Sequence, residues 1–219
     1  MKISVVRDIL DANEKIAQEN RLRFEESGTL VINLMSSPGS GKTTLLEKTI
    51  AILKDRVRMG VIEGDIQSTH DAERIGKTGI PVVQINTGGA CHLESHMIRE
   101  ALNHLPIRHL QLLFIENVGN LVCPASFQLG EHFKAMILSV SEGDDKPLKY
   151  PLIFQESSIL IINKMDLLPY CDCNPDLIEE RARKINPRLF CFRISCRTGE
   201  GLHSWTDWLI QRIQESKKA

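Results

Sequence analysis

The chain has 219 residues, of which 42% are hydrophobic and 25% charged, and its 27 Lys and Arg nearly balance 28 Asp and Glu for a net charge of −1. This is an ordinary globular balance in a chain long enough to bury a large core without metal or disulfide staples, and it lacks the basic excess of a general nucleic-acid binder. No window nears the ~18 unbroken apolar residues of a membrane span, and the first residues carry no apolar signal segment, so the expectation is a cytoplasmic protein with no membrane or nucleic-acid partner and with six reduced cysteine thiols.

The first predicted element is a helix over residues 4–24. Val5, Ile9, Ala12 and Ile16 recur at helical spacing, with charged residues on the other side. The pattern predicts an amphipathic arm, residues 1–28, which either packs on the sheet or docks a partner, within a single domain spanning 1–219. Predicted strands follow at Thr29–Met35, Arg58–Glu63, Val82–Asn86, Gln111–Glu116, Ala135–Val140, Ile159–Asn163 and Phe190–Ser195. They are nearly all apolar, as strands buried on both faces are. Predicted helices lie between most of them, at Thr43–Lys54, Thr69–Thr78, His92–Leu105, Asp176–Ile185 and Gly201–Glu215. Asn174-Pro175-Asp176 is a strong helix start, with a cap, a first-turn proline and an acid near the positive end of the dipole. Trp205, Trp208, Leu209 and Ile213 read as the core stripe of the last helix. The alternation predicts an α/β fold, a mainly parallel sheet with helices on both faces.

Between the first strand and first sheet-flanking helix runs Ser36-Ser37-Pro38-Gly39-Ser40-Gly41-Lys42-Thr43. This is the strand–loop–helix context of a phosphate-binding P-loop, with Ser at the first position in place of Gly. Its glycines let backbone amides turn inward around phosphate, where the helix N-terminus adds positive potential. Lys42 is expected at the β- and γ-phosphates and the Thr43 hydroxyl on Mg²⁺, with Gly39, Ser40, Gly41 and Thr44 completing the cradle. Two further strands end in acids. Asp65 of Glu63-Gly64-Asp65 is expected near the phosphates, as a ligand of Mg²⁺ or of the attacking water. Glu116 is expected to hold a Mg²⁺-bound water, and Gly119 to sense the γ-phosphate through its amide. Lys42, Asp65 and Glu116 are therefore the expected catalytic set. Asn120 follows Gly119 where Ras-like enzymes place a water-orienting Gln, which predicts slow turnover suited to a switch. Asn163-Lys164-Met165-Asp166 closes a buried strand, and its carboxylate suits the paired N1 and N2 donors of guanine, an edge that adenine lacks. Ser195-Cys196-Arg197-Thr198-Gly199 fits a loop touching the base. These segments together read as a GTPase that cycles between GTP and GDP.

A second chemistry is written at Gly88-Gly89-Ala90-Cys91-His92-Leu93, read as a strand exit opening a helix. Cys91 at a helix N-terminus would have a lowered pKa, favouring thiolate. His92 and His96, at i and i+4, would share a helix face. Cys123 lies just beyond Gly119, so both groups should emerge at the nucleotide-binding edge of the sheet. Thiolate with imidazole suits Zn²⁺ or Ni²⁺, and a two-fold partner is able to complete such a site. Cys171 and Cys173 form a loop pair read as incidental, and Cys191 and Cys196 as packing.

These motifs resemble the HypB family of hydrogenase nickel incorporation proteins, GTPases of the SIMIBI class. The resemblance runs over nearly the whole chain and is most specific at Ser36–Thr44, Glu63–Thr69, Gly88–Leu93, Glu116–Pro124, Ser141–Pro151 and Asn163–Pro169. It implies that Cys91, His92 and Cys123 form a metal site at a dimer interface and that GTP promotes dimerisation. It also implies that nickel passes toward the large subunit of [NiFe] hydrogenase with a HypA-like accessory protein, and that the lysines of Asp144–Pro151 contact nucleotide. The alternatives are a urease-type chaperone like UreG, which carries Cys-Pro-His where this chain has Cys91-His92, and a metal-binding adaptor whose nucleotide is structural.

Overall fold

The structure is a computed structural model that describes residues 5–216, with side chains from Leu10 onward. Helix α1, Val5–Ser27, forms as expected, but its buried face is not the predicted apolar stripe. Ala12 is exposed and Ile16 half-buried, and the side chains of Val5 and Ile9 lie outside the described residues. The face that is buried consists of Asn13, Ala17, Asn20 and Phe24. Periodicity of apolar residues misses it because two contacts are amides. Asn20 Nδ2 donates to the carbonyls of Ser95 and Leu129, and Asn13 Oδ1 accepts from the Ser95 N–H at 2.8 Å. The arm is thus hydrogen-bonded onto neighbouring backbone whose polar groups would otherwise be buried unpaired.

The remaining elements in chain order are β1 (Leu30–Ser36), α2 (Lys42–Leu53), β2 (Met59–Asp65), α3 (His70–Gly76), β3 (Val82–Asn86), α4 (Ser95–Ala101), β4 (Leu112–Glu116), α5 (Cys123–Ser126), β5 (Phe133–Ser139), α6 (Lys146–Lys149), α7 (Pro151–Glu156), β6 (Ile159–Asn163), α8 (Pro175–Ile185), β7 (Phe190–Arg193) and α9 (Leu202–Ser216). The seven strands form one sheet in the order β3-β2-β4-β1-β5-β6-β7. Every adjacent pair is parallel. The central strands are buried along their length, which is why they read as continuous apolar runs, whereas the edge strands β3 and β7 are largely half-buried. The core stripe of α9 is as predicted. Trp205 is fully buried and donates from Nε1 to Thr49 Oγ1 at 3.1 Å, joining α9 to α2. Side chains buried in this way stabilise the fold by roughly 1.5–3 kcal/mol each.

Two differences from the predicted elements bear on function. The helix expected over His92–Leu105 starts three residues later, at Ser95, with Glu94 as its cap, and yields to a 3₁₀ turn from Leu102. Gly88 and Gly89, both at positive φ, extend the loop past Cys91 and His92. The one- and two-turn helices α5, α6 and α7 were not foreseen, because four to six residues carry no readable periodicity. Each has a proline in its first turn, the one cue that was present.

His132 anchors the strand side of the arm. Its Nδ1 accepts from the Val31 N–H at 3.1 Å, and burial, reinforced by the Arg21 guanidinium, holds its pKa down to about 4. The folded-state value lies below the unfolded ~6.5, so the stabilisation is whole above about pH 6.5 and is lost as pH falls toward 4. With partial solvent screening the loss should be ~1–2 kcal/mol. Urea unfolding at pH 7 and pH 4.5 checks this. His132→Asn keeps an acceptor without titrating and should lose less stability over that interval; equal losses in the two proteins would refute it.

Candidate nucleotide site and metal centre

The C-terminal ends of β1, β2, β4 and β6 carry the first site. The loop after β1 turns through Gly39 and Gly41, at φ 77° and 98°. Gly41 is doubly required, since a Cβ there would also meet Asn163 Nδ2 at 2.6 Å. Asn163 Nδ2 donates to Ser40 O at 2.9 Å, and Lys164 Nζ donates to Gly39 O at 2.7 Å. Lys164 is held in the left-handed region at φ 61°, a conformation that non-glycine residues adopt where function or packing enforces it. The segment predicted to read guanine thus also braces the phosphate loop. Asp166 accepts from Ser195 Oγ at 2.6 Å, and that oxygen accepts from the Thr198 N–H at 3.1 Å.

Two adjoining cavities result. One, of about 510 Å³, is lined by Gly39, Gly41, Lys42, Thr43, Asp65, Glu116 and Gly119 among others. The other, of about 540 Å³, is lined by Thr44, Asn163, Lys164, Asp166 and Cys196. Gly41, Thr44 and Lys164 face both, so the two cavities are contiguous. Burial pushes the Cys196 thiol up to about 11, so it stays protonated beside the second cavity. Gly119 lies against the phosphate loop, where a Cβ would meet Pro38 at 3.0 Å.

The acids arrange themselves differently from expectation. Glu116 accepts from Thr43 Oγ1 at 2.7 Å, as a shared Mg²⁺ site requires. The carboxylates within 4.8 Å of one another, however, are Glu63, Asp71 and Glu116, not Asp65. Asp65 faces the phosphate cavity while its Oδ1 accepts from the Gln67 and Ser68 N–H groups at 2.9 and 3.0 Å. Burial pushes the Asp65 pKa up, but these backbone donors outweigh it and hold the carboxyl below its usual range. Burial, then the charge of Glu116, pushes Glu63 up to about 11. Burial raises Glu116 as well, against the pull of Lys42. Glu63 Oε2 and Glu116 Oε2 are buried without a protein partner. Two orphaned carboxylate oxygens beside a threonine hydroxyl are hard donors that fit Mg²⁺. Sequence reading missed Glu63, hidden inside an apolar strand, and Asp71, an ordinary first-turn acid of α3.

It also missed two braces. Glu142 accepts from the hydroxyls of Ser37 and Ser40 and from the Ser139 N–H, tying the loop after β5 to the phosphate loop. Arg74 lines the phosphate cavity, paired with Glu47 at 2.6 Å and Asp71 at 2.9 Å. In this arrangement Lys42 Nζ donates to Ser36 Oγ at 3.1 Å. The serine that departs from the P-loop pattern is therefore a partner of the loop lysine.

The second site lies at the ends of β3 and β4. Cys91 Sγ is 3.0 Å from Cys123 Sγ and 3.7 Å from His92 Nδ1, and the three donors lie within 4.8 Å of one another. All described cysteines are free thiols. Cys91 is not at a helix N-terminus, since α4 begins four residues on, whereas Cys123 is the first residue of α5. His92 therefore shares no helix face with His96. His96 is half exposed, with Nδ1 3.3 Å from Glu94 Oε2, and is outside the cluster. The His92 ring rests on Phe127 at 3.9 Å between centroids. Burial lowers its pKa, and Nε2 is buried without a hydrogen bond, with Glu94 Oε1 3.7 Å away. A neutral imidazole whose Nδ1 lies in a cluster with two thiol sulfurs fits a borderline-soft cation such as Zn²⁺ or Ni²⁺ and leaves a coordination position open. The Cys123 thiol is raised by the hydrogen bond from Cys91 and by burial. Cys171 and Cys173 pack half-buried against the α7–α8 side of the core and join no such cluster among the described residues.

Residues 30–193 match the family model described as CobW/HypB/UreG, nucleotide-binding domain. The chain is 52% identical over 207 residues to the hydrogenase maturation factor HypB of Escherichia coli K12, an alignment covering 94% of this chain and 71% of that one. The crystal structure of HypB from Helicobacter pylori in complex with nickel superposes with a TM-score of 0.89 at 40% identity, over 93% of this chain and 96% of that one. The signal recognition particle 54 kDa protein of Aeropyrum pernix, solved with GDP, shares the fold alone, with a TM-score of 0.59 at 15% identity over 85% of this chain and 49% of that one. With a seven-stranded parallel sheet, a phosphate loop and this degree of identity over nearly its whole length, the chain belongs to the CobW/HypB/UreG family, and within it to the HypB hydrogenase maturation factors.

Proposed function

We propose that the protein is a slow GTPase and nickel carrier in [NiFe] hydrogenase maturation, working in the cytoplasm as a GTP-promoted homodimer within a single GTPase domain, 1–219, that includes the arm 1–28. Gly39, Ser40, Gly41, Lys42, Thr43 and Thr44 hold the phosphates, and Gly119 senses the γ-phosphate. Asn163, Lys164 and Asp166, with Ser195 and Cys196, hold guanine. Thr43 and Glu116, joined by Glu63 and Asp71, would hold Mg²⁺, which when bound offsets charge on the phosphate oxygens. Asp65 orients the attacking water, and Lys42 meets the negative charge on the transferred group. The cargo, Ni²⁺ with Zn²⁺ as competitor, sits on Cys91, His92 and Cys123, and His96 drops out of the ligand set. A HypA-like accessory protein and the hydrogenase large subunit are the proposed partners.

One observation carries this reading: a single short segment of chain joins the two sites. Glu116 and Gly119 line the phosphate cavity, and Cys123, four residues beyond Gly119, belongs to the thiol cluster. Four residues span at most ~14 Å, so ordering the glycine on a γ-phosphate changes where the ligand lies. A second copy is supported by the open coordination position and by Ile66 and Val122, large apolar side chains 44% and 54% exposed near this edge.

The test is titration of Ni²⁺, and separately Zn²⁺, into GDP-bound and GTP-analogue-bound protein, with molecular mass followed by light scattering. Metal affinity should differ between the forms by about 5–150-fold, and mass should double with the analogue. Identical affinities and unchanged mass would overturn the proposal.

A further inference from the structure

We infer that Asn117 is a positioning residue that ties the nucleotide switch to the metal-binding loop through its side-chain carboxamide. The inference rests on the proposed coupling of the two sites and names the part that carries it.

Asn117 follows Glu116 at the end of β4 and is 1% exposed. Its Oδ1 accepts from the N–H of Val118, at 3.0 Å, and from the N–H of Leu93, at 3.1 Å. Val118 immediately precedes Gly119, and Leu93 immediately follows His92. One buried oxygen therefore holds both the segment that lines the phosphate cavity and the segment that presents Cys91 and His92.

The orientation of this carboxamide is dictated from behind. Asn117 Nδ2 donates to Asn33 Oδ1 at 3.3 Å, and Asn33 Nδ2 donates to Glu131 Oε1 at 3.0 Å. The other oxygen of Glu131 accepts from the Leu129 N–H at 2.7 Å. A carboxylate only accepts. It requires the amide nitrogen of Asn33 to face it, which presents the Asn33 oxygen to Asn117. That oxygen in turn requires the nitrogen of Asn117, leaving Oδ1 aimed at the two loops. A flipped carboxamide would set NH₂ against two N–H donors and oxygen against oxygen, so the buried chain has a single consistent orientation.

Leu93 is held at a second point. A Cβ on Gly64 would lie 2.7 Å from Leu93 Cδ1, so this side chain sits directly on the β2 backbone between Glu63 and Asp65. The residue next to His92 is thus fixed to the ends of both acid-bearing strands. A shift of Val118 as Gly119 orders moves the oxygen they share or strips it of one donor. The Leu93 N–H follows that oxygen because leaving it would bury an unpaired donor. Sulfur on Cys123 moves through the covalent chain, and Cys91 and His92 move through Asn117. Without the carboxamide only one side of the cluster would feel the nucleotide.

The experiment compares Ni²⁺ affinity in GDP-bound and GTP-analogue-bound forms of the wild type, Asn117→Ala and Asn117→Asp. The wild-type ratio should fall in the range of about 5–150-fold. Asn117→Ala should lower it severalfold while still binding Ni²⁺, leaving the part that reaches Cys123 through the chain, and Asn117→Asp, which keeps the accepting oxygen but sets a second oxygen against Asn33 Oδ1, should fall between the two. A loss of stability alone would lower both affinities and leave the ratio. A coupled wild type with an equally coupled Asn117→Ala overturns this inference and leaves the proposed function standing, whereas an uncoupled wild type overturns both. If Asn117→Ala does not fold, amide exchange of Leu93 in the intact wild-type protein decides the matter. Its protection should change severalfold between GDP and the analogue, and unchanged protection alongside altered Ni²⁺ affinity overturns the inference.

Discussion

Replacing Cys91 by alanine should lower Ni²⁺ or Zn²⁺ affinity by more than about 100-fold, because loss of a partner that merely supports a ligand already costs about 10–100-fold and Cys91 is itself a donor. Its sulfur is central to the cluster, 3.0 Å from Cys123 Sγ and 3.7 Å from His92 Nδ1. Removal leaves one thiol and one imidazole, too few to hold the ion. Cys123→Ala should do the same, and the double substitution should cost far less than the sum, since each single change already breaks the same site. His96→Ala should alter affinity by less than about twofold, in keeping with its place on α4 beside Glu94, and so should joint replacement of Cys171 and Cys173. Competition titration against a chromophoric chelator reads these affinities. Undiminished affinity in Cys91→Ala would remove the metal assignment.

The second large effect concerns guanine. Asp166→Asn should lower GTP affinity by ~10–150-fold, equivalent to the ~1.5–3 kcal/mol of a charge-assisted hydrogen bond. The carboxylate is held by Ser195 Oγ at 2.6 Å, so it is oriented before nucleotide arrives and little ordering cost offsets its loss. The substituted amide also sets a donor against the donor edge of guanine. Affinity for xanthosine triphosphate, whose base has a carbonyl oxygen where guanine has its amino group, should rise in the same variant. Calorimetric titration with GTP, ATP and XTP measures all three. Equal ATP and GTP affinity in the wild type would refute the guanine reading.

Much of this was legible in the sequence, for reasons that differ by residue. The strands were readable because a parallel sheet covered on both faces demands unbroken apolar runs, which β1, β4 and β6 supply. The phosphate loop was readable because Gly39 and Gly41 must take positive φ within a fixed spacing of Lys42 and Thr43. Cys91, His92 and Cys123 were readable as types and by their places in the loops after two of the strands, β3 and β4. The helix that was to align His92 with His96 was not real, because Gly88 and Gly89 prolong the loop and α4 begins only at Ser95.

What local pattern determined, then, was the α/β class, the strand sequence, the phosphate loop, the Asn163–Asp166 segment at a strand end and the residue types of the Cys91, His92 and Cys123 cluster. Tertiary structure alone decided which acids meet. Strand order places β4 between β2 and β1 and so sets Glu63 opposite Glu116, while α3 brings Asp71 over both. It alone decided that α1 docks through Asn13 and Asn20 rather than through an apolar stripe. It alone joined Asn33, Asn117 and Glu131 into one buried chain. The physical reason is common to all three. A buried polar side chain has no periodic signature along the chain. Its place depends on which partner the fold brings within ~3 Å to satisfy it, and that partner lies tens of residues away in sequence.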